Sequence, residues 1–252
     1  MHPVFHEFRV GSVDVWSIDL DGSGLDSPEF RGVLSPDERR AALAMPTALV
    51  RQRYLARKAF HRFVLADYLD IASDRISFSK GNFGKPRFAS ALRSADLQFS
   101  TSSSGTAAVI AVSRSVRVGI DIEAVRPIAH DSDVVNWVSD SFDVDCIEVR
   151  PTDDDAFFRQ WTRLEAQAKC SGLGLARHEK AAGNGWNLKT LMHRCAGERF
   201  ALSLATRHYS VRVRGPMMVV QARWRSGCEP RSMDWRQLAR RRCNPERRGD
   251  RA

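Results

Sequence analysis

The stretch AAVIAVSRSVRVGIDIE, residues 107–123, constrains the fold more than any other part of the chain. Its two runs, AAVIAV and VRVGIDIE, are separated only by SRS, which predicts two β-strands joined by a tight connection. Side chains alternate along a strand, so Asp121 and Glu123 point to one side while Ile120 and Ile122 point to the other. The sequence therefore predicts a strand with one apolar face and two carboxylates on the opposite face.

The paired carboxylates are a candidate metal site. Two carboxylates this close repel each other unless a cation or a basic side chain lies between them. Hard oxygen ligands without cysteine or histidine nearby suit Mg²⁺, which binds one or two carboxylates together with phosphates and water. The alternative is a strand whose solvent face happens to be acidic, and Asp121 and Glu123 alone do not decide between these interpretations.

A helix is predicted within FFRQWTRLEAQAKCSGLGL, residues 157–175, and it carries an acid and a base on one face. Trp161, Glu165 and Lys169 recur every four residues and lie near one stripe. On a solvated face such a pair is a salt bridge worth only about 0.3–0.5 kcal/mol. The neighbouring positions are mostly apolar, however, and a semi-buried carboxylate is costly unless it is paired or binds a metal. On this second hypothesis Glu165 joins the site of Asp121, and Lys169 holds a phosphate oxygen.

Composition excludes several classes of protein. The chain has 252 residues, 43% of them hydrophobic, and no stretch approaches the roughly 20 apolar residues of a membrane span. Five cysteines without a C-x-x-C pair argue against a disulfide framework or a zinc site. The N-terminal MHPVFHEFRV lacks the charged-then-apolar order of a signal peptide, so we expect a cytoplasmic protein without a membrane partner.

The net charge of +9 is unevenly distributed. Residues 226–252 contain eight arginines and four acids, whereas residues 121–155 contain eleven acids and two arginines. A basic protein is expected to bind an acidic partner, which is nucleic acid, anionic lipid, a phosphorylated ligand or an acidic protein. Charge alone does not choose among them.

The order of the predicted elements divides the chain into two similar α+β halves. SPDERRAALAM begins a helix, PTALVRQRYLARKAFHRFVLADYLDI has helical periodicity, and RFALSLAT, YSVRVR and MMVVQARW are predicted strands. We predict the fold class α+β, with each half a small antiparallel sheet packed on a long helix. The predicted units are residues 1–117, residues 118–225 with the metal site, and a basic tail, residues 226–252, that we expect to be poorly ordered.

Two turns resemble known catalytic motifs but fail their requirements. GNFGKPRF has the wrong glycine spacing for a phosphate-binding P-loop, and Pro86 stands where that loop needs serine or threonine. STSSSG lacks the first glycine of a G-x-S-x-G nucleophile elbow. What remains is Lys85 on a tight turn and a hydroxyl-rich turn between strands, both suited to contacting an anion.

Three blocks, FGKPRF, FSTSSSGTAAVIAV…VGIDIE and FFRQWTRLEAQAKCSGLGL, together resemble a 4′-phosphopantetheinyl transferase of the Sfp type, in the holo-carrier-protein synthase superfamily. The family pattern is roughly G-K-P, F-N-x-S-H-S, G-[IV]-D-[IV]-E and W-[ST]-x-K-E-x-x-x-K-x-x-G-x-G. The resemblance spans about residues 30 to 225. GIDIE followed about forty residues later by W-T-x-x-E-A-x-x-K is a specific combination.

This resemblance implies an enzyme that moves the phosphopantetheine arm of coenzyme A onto a serine of an apo acyl or peptidyl carrier protein, releasing 3′,5′-ADP. It implies Mg²⁺, or alternatively Mn²⁺, as the metal and coenzyme A as co-substrate. The implied architecture is two pseudo-symmetric halves with the active site in the cleft between them. We expect a monomer whose carrier partner is acidic around its serine.

The resemblance also assigns residues. It implies that Asp121, Glu123 and Glu165 are the metal ligands, that Lys169 contacts the phosphates, and that Glu165 helps to deprotonate the incoming serine. The remaining coenzyme A contacts that it implies are Lys85, Ser100 and Thr101, together with Arg51 or Arg53 at the 3′-phosphate.

Two departures from the family pattern affect the expected affinity. When the serine of F-N-x-S-H-S is aligned with Ser100, Thr101 takes the place of the family's histidine, and Gln98 takes the place of its asparagine. Losing one hydrogen bond to a charged group costs roughly 1.5–3 kcal/mol. Leu164 stands where the family commonly has lysine, which we expect to remove a positive charge near the phosphates. Since all three implied metal ligands are present, we predict an active enzyme with weakened or altered coenzyme A binding.

Two alternatives are kept. The first is a relative that binds carrier proteins without efficient transfer, because the substitutions have reduced its activity. The second is a nucleic-acid-binding module, suggested by the sequence pI of about 9.8 and the arginine-rich tail. Against the second, the aromatic residues are not interleaved with the basic ones in a recognised pattern.

Overall fold

The computed structural model describes residues 6–10, 13–81, 83–89, 92, 97–114, 116–129, 132–140, 153–175 and 185–207. The strands predicted at YSVRVR and MMVVQARW and the tail at 226–252 lie outside the described residues. Within the described ranges, no helix combines the length and the apolar character needed to cross a membrane.

The described elements come in groups along the chain: two strands, then helices, then five strands, then two helices, then two strands. The strands are β1 (His6–Val10), β2 (Val13–Asp19), β3 (Phe78–Lys80), β4 (Pro86–Phe88), β5 (Gln98–Ser104), β6 (Ala107–Ser113), β7 (Arg117–Ala124), β8 (Trp186–Cys195) and β9 (Glu198–Arg207). The α-helices are α1 (Pro36–Leu43), α2 (Ala48–Leu69), α3 (Asp133–Asp140) and α4 (Asp154–Ser171), and two 3-10 helices span Pro28–Val33 and Ser73–Arg75.

Three antiparallel sheets organise these strands, which confirms the predicted α+β class with small antiparallel sheets. The first sheet has the order β1-β2-β6-β5, the second has the order β7-β9-β8, and β3 and β4 form a separate hairpin. The two strands predicted within residues 107–123 exist, but β6 and β7 belong to different sheets. The short connection between them therefore leads from one sheet to the other.

Helix α2 packs against the first sheet. It begins at Thr47, whose side chain accepts a hydrogen bond from the backbone N–H of Val50, and it ends at Asp70 in the left-handed conformation. Leu55, Ala59 and other apolar residues on its inner face share a core with the apolar side chains of β2 and β6. The helical spacing of apolar residues in the sequence thus corresponds to a real buried face.

Helix α4 packs against the second sheet. The Asp153 side chain caps its first turn by accepting a hydrogen bond from the N–H of Ala156, 2.7 Å away. Gly172, with φ of 73°, ends it in the left-handed conformation that glycine adopts without strain. The apolar residues of α4 are buried against β9 and α3, so only one side of the helix is left to face the first sheet.

The two sheets meet along β5 and β7. A core of aliphatic residues includes Val109 of β6 and Ile120 of β7 and fills the space between the sheets. At the edge, Ser100 and Ser104 of β5 accept hydrogen bonds from the backbone N–H groups of Ile120 and Ala124, each at 3.1 Å. We call Ser100, Ser102 and Ser104 the serine seam. Their hydroxyls, at every second position, all face β7.

Candidate active site

Gly119 sets the distance between β7 and α4. A β-carbon at this position would lie 1.9 Å from the carbonyl oxygen of Ala166 and 2.4 Å from the backbone nitrogen of Cys170. Any side chain would therefore push the helix off the strand. Because glycine allows the close approach, Lys169 on α4 comes within hydrogen-bonding reach of Asp121 on β7.

Asp121 and Lys169 form the centre of the site. The ammonium Nζ of Lys169 lies 2.5 Å from Oδ1 of Asp121 and 3.1 Å from the hydroxyl of Ser102, which itself donates to the same carboxylate oxygen. Asp121 is 2% exposed. Burial raises the pKa of Asp121 to about 6, although the charge and hydrogen bonds of Lys169 oppose this shift.

Two further carboxylates lie in the same region. The Glu123 carboxylate accepts a hydrogen bond from Ser104 at 2.8 Å and lies 3.5 Å from the guanidinium of Arg126. Burial raises the pKa of Glu165, Lys169 opposes the shift, and the charge of Glu123 adds to it. The charge of Glu165 likewise raises the pKa of Asp121. The three carboxylates that the sequence singles out therefore share one electrostatic environment.

The chemistry of this group fits a hard divalent cation. Over the described residues, no three acidic, histidine or cysteine side chains already stand in a metal-binding arrangement. However, Oδ2 of Asp121 is buried and has no hydrogen-bond partner among them. A buried carboxylate oxygen without a donor is costly, and a cation would satisfy it. Lys169 supplies the positive charge on the other oxygen, Oδ1.

A basic cavity of about 970 Å³ opens beside Lys169. Its floor is the outer face of β5, where Thr101 and Ser103 alternate with the serine seam. Ser103 is hydrogen-bonded by the guanidinium of Arg57 at 2.8 Å. The cationic side chains that line the cavity are Arg39, Arg57, Lys58, Arg62, Arg75, Lys80 and Lys169. This size and charge suit a large anionic ligand.

Some residues assigned from the sequence lie elsewhere. Arg53 forms a bidentate pair with Asp21, with both N–O distances 2.7 Å, and Arg51 donates to the carbonyl of Ala42. Neither is among the described residues that line the cavity. The arginine of α2 that lies in the cavity is Arg57, one helical turn beyond Arg53. The two arginines share one face of α2, so the prediction and the structure differ by one turn along the helix.

The residues of β5 need a similar correction. Ser100 is 1% exposed, and its hydroxyl faces β7, away from the cavity, whereas Thr101 lines the cavity as predicted for a ligand contact. The sequence analysis missed Ser103, which alternation along the strand places beside Thr101. When the first residue of the pattern F-N-x-S-H-S is aligned with Phe99, its histidine falls at Ser103. The alignment on Ser100, which put the histidine at Thr101, is displaced from this one along the strand.

Leu164 does not face the phosphate region. It is 1% exposed and packs in the core that holds Val135, Val138 and Phe158. The expectation that its replacement of lysine removes a charge beside the ligand is therefore wrong. A residue next to Glu165 in sequence points about 100° away from it around the helix, which is enough to change its environment completely.

Lys85 points into the protein. Its ammonium donates to the carbonyls of Val118 and Lys169, at 2.9 and 2.8 Å, and burial lowers the pKa of Lys85 to about 8. It lines a second, smaller cavity of about 540 Å³ together with Arg87 and Arg117. Lys85 is thus near the site, but two of its three donors already have partners.

Comparison with known proteins agrees with this geometry. Residues 117–212 match the family described as the 4′-phosphopantetheinyl transferase superfamily. The chain is 28% identical over 170 residues to the 4′-phosphopantetheinyl transferase HetI of Nostoc sp. (strain PCC 7120), covering 67% of this chain and 72% of HetI. It is 24% identical over 151 residues to a putative 4′-phosphopantetheinyl transferase of Synechocystis sp. (strain PCC 6803), covering 59% of this chain and 61% of that protein. The family match contains both β7 and α4.

Proposed function

Residues 117–212 form a domain of the 4′-phosphopantetheinyl transferase superfamily, and on that premise we propose the reaction, its metal and its substrates. The chain is a transferase of phosphopantetheine. The proposed reaction moves the 4′-phosphopantetheine arm of coenzyme A to a serine of an apo acyl or peptidyl carrier protein. The proposed products are the holo carrier protein and 3′,5′-ADP, and the proposed metal is Mg²⁺.

One observation carries this proposal. The buried Asp121 has one oxygen on the ammonium of Lys169 and the other without a partner among the described residues, beside a large basic cavity. Phosphoryl transfer depends mainly on positioning and on neutralising negative charge. A carboxylate oxygen for a metal and a lysine for a phosphate, held side by side, are the parts that such a reaction needs.

We assign the proposed metal to Asp121, Glu123 and Glu165, and Lys169 to the pyrophosphate of coenzyme A. Mg²⁺ bound there would neutralise pyrophosphate oxygens. The serine oxygen attacks the β-phosphorus, the bond from that phosphorus to the oxygen of 3′,5′-ADP breaks, and the serine proton passes to Glu165. In the metal-free protein burial raises the pKa of Glu165, and a bound Mg²⁺ would oppose that shift.

Coenzyme A is proposed to occupy the cavity of about 970 Å³. Arg57 and Lys58 replace Arg51 and Arg53 as the proposed partners of its 3′-phosphate, since they line that cavity. Thr101 and Ser103 offer hydroxyl groups on the cavity floor. The burial of Leu164 removes one of the two reasons for expecting weak coenzyme A binding, and the missing histidine is the other. We propose efficient transfer over a carrier-binding relative without it.

The remaining features are proposed from the same site. The two units, residues 1–117 and 118–225, are proposed to be pseudo-symmetric halves with the reaction in the cleft between them. The carrier protein is proposed to be acidic around its serine, in keeping with the net charge of +9. We propose that the enzyme works as a monomer in the cytoplasm.

The decisive experiment uses purified protein, coenzyme A, Mg²⁺ and a panel of apo acyl and peptidyl carrier proteins. Intact-mass spectrometry should show the gain of one phosphopantetheine on at least one carrier, and chelation of the metal should abolish it. Carriers with serine replaced by alanine serve as controls. If no carrier in the panel is modified at saturating coenzyme A and Mg²⁺, the proposed function is wrong.

A further inference from the structure

We propose that Lys85 is a positioning residue, which holds the end of helix α4 so that Lys169 remains on Asp121. The inference rests on the proposed transfer reaction, in which Lys169 contacts the substrate. It also replaces the role that the sequence gave to Lys85, a direct contact with coenzyme A.

The hydrogen bonds of Lys85 join three elements. Lys85 lies in the turn between β3 and β4, and its ammonium reaches across to the carbonyls of Val118 on β7 and Lys169 on α4. Val118 immediately precedes Gly119, where the strand and the helix are closest. One ammonium therefore fixes the strand, the helix and the hairpin at their tightest point.

The carbonyl of Lys169 needs such a donor. The last four carbonyls of a helix have no partner within it, and α4 ends at Ser171. The backbone N–H of Gly172 goes to Ala168, and that of Leu173 goes to the Ser171 hydroxyl. The carbonyl oxygen of Lys169 therefore accepts a hydrogen bond from the ammonium of Lys85 and not from the N–H of Gly172 or Leu173. The positive charge of Lys85 also lies at the negative end of the helix dipole.

Lys85 is not among the described residues that line the large cavity, although its neighbours Gly84 and Pro86 are. It lines the smaller cavity, to which Pro86 and Lys169 also belong. The side chain of Lys85 is half-buried, and its ammonium has two carbonyl acceptors at hydrogen-bond distance. Lys169 is consequently held twice: its backbone by Lys85, and its side chain by Asp121 and Ser102.

A double-mutant cycle tests this role. We expect Lys85→Met to lower kcat about tenfold or more, the loss typical of one hydrogen bond to a charged group. If Lys85 acts through Lys169, the double variant with Lys169→Met is no slower than Lys169→Met alone. Independent, multiplicative losses would overturn the proposal. Lys85→Arg keeps donors and charge and is expected to recover part of the activity, and Lys189→Met on β8 is the matched control.

Coenzyme A binding separates positioning from direct contact. In the Lys169→Met background, adding Lys85→Met should leave the Kd of coenzyme A from titration calorimetry unchanged within about twofold, the ordinary limit of additivity errors. A further rise of tenfold or more would show that Lys85 itself contacts the ligand, and would overturn the proposal.

Hydrogen exchange gives a readout that needs no activity. Backbone amides at 170–173 should exchange faster in Lys85→Met than in the wild-type protein, and no faster in Lys189→Met. Unchanged amide exchange in Lys85→Met would overturn the positioning role of Lys85. This readout also serves if the transfer activity of Lys169→Met is too low to measure. If Lys85→Met does not fold, the same comparison is made with Lys85→Arg. Exchange equal to that of the wild-type protein would support the positioning role of Lys85, and global loss of protection would contradict it. Failure of the wild-type enzyme to modify any carrier would instead refute the proposed function.

Discussion

The backbone of Gly119 lies directly against the carbonyl of Ala166, leaving no room for a β-carbon between strand β7 and helix α4. We predict that Gly119→Ala destabilises the protein by about 1–3 kcal/mol, the usual cost of overpacking, and lowers transfer because Lys169 moves away from Asp121. Urea unfolding and steady-state kinetics check both effects. Gly32→Ala is the stability control, since a β-carbon there meets open space. Equal stability of the two variants would contradict this account of β7 and α4.

In the metal-free protein, the stabilising contribution of the Asp121 carboxyl should fall as the pH rises from about 4 to about 6. Because the pKa of Asp121 in the folded state, about 6, lies above its ordinary value, the folded state binds this proton more tightly than the unfolded chain does. Its favourable contribution is complete below the ordinary value and is lost as the pH rises through 6. Asp121→Asn should flatten this part of the profile and raise the Tm at pH 7 in chelator, while abolishing transfer.

Lys169 and a metal compete for the carboxylate of Asp121. Without coenzyme A, we predict that Lys169→Met binds Mg²⁺ more tightly than the wild-type protein, by about tenfold for the loss of one charged hydrogen bond at the site. Titration calorimetry measures the change. Lys189→Met provides the control for removing a positive charge elsewhere. Weaker Mg²⁺ binding in Lys169→Met would mean that the lysine orients Asp121 for the metal instead of competing with it.

Arg57 and Arg53 should differ in their effect on coenzyme A. Arg57 lies in the large cavity against Ser103, whereas Arg53 is paired with Asp21. Arg57→Ala is expected to raise the KM for coenzyme A about tenfold, by loss of a charged hydrogen bond, and Arg53→Ala to leave it unchanged. The opposite ranking would restore the assignment made from the sequence.

Leu164→Lys should harm stability without improving coenzyme A binding. The side chain of Leu164 is buried among Val135, Val138 and Phe158, so a lysine there must bury its charge or displace the core. We expect a loss of at least about 2 kcal/mol in the free energy of unfolding, as for other disrupted core sites. A folded variant with tighter coenzyme A binding would show that this position reaches the ligand after all.

Local patterns in the sequence predicted the catalytic elements well. The alternation around Asp121 and the start of α1 within SPDERRAALAM depend on neighbouring residues, so they are visible without the fold. The pairing partner of each strand, by contrast, cannot be identified from neighbouring residues. Strand β6 is apolar on both faces, with Val109 in the core between the sheets and Ile110 in the core under α2. It therefore packs between layers, and the partner of β7 is β9, far along the chain, which local patterns do not identify.

The errors at individual site residues have one physical cause. Arg53 and Arg57 both lie on α2, and Ser100 and Thr101 are neighbours on β5, so residue type alone could not separate them. Which turn of a helix, or which side of a strand, faces a cavity depends on how the element packs against distant parts of the chain. The alternation of side chains along β5 predicts that Thr101 and Ser103 share one side of the strand. It does not predict whether that side or the side of the serine seam faces the ligand.

The pairing of β7 also orders events during synthesis. This strand carries Asp121 and Glu123, and its antiparallel partner is β9, which follows α3, α4 and β8 in the chain. On its other side β7 meets the hydroxyls of the serine seam. A nascent chain therefore leaves one edge of the acidic strand open until Glu198–Arg207 emerges from the ribosome. A chain halted before that point would possess all three proposed metal ligands, yet lack the neighbour that holds two of them in place.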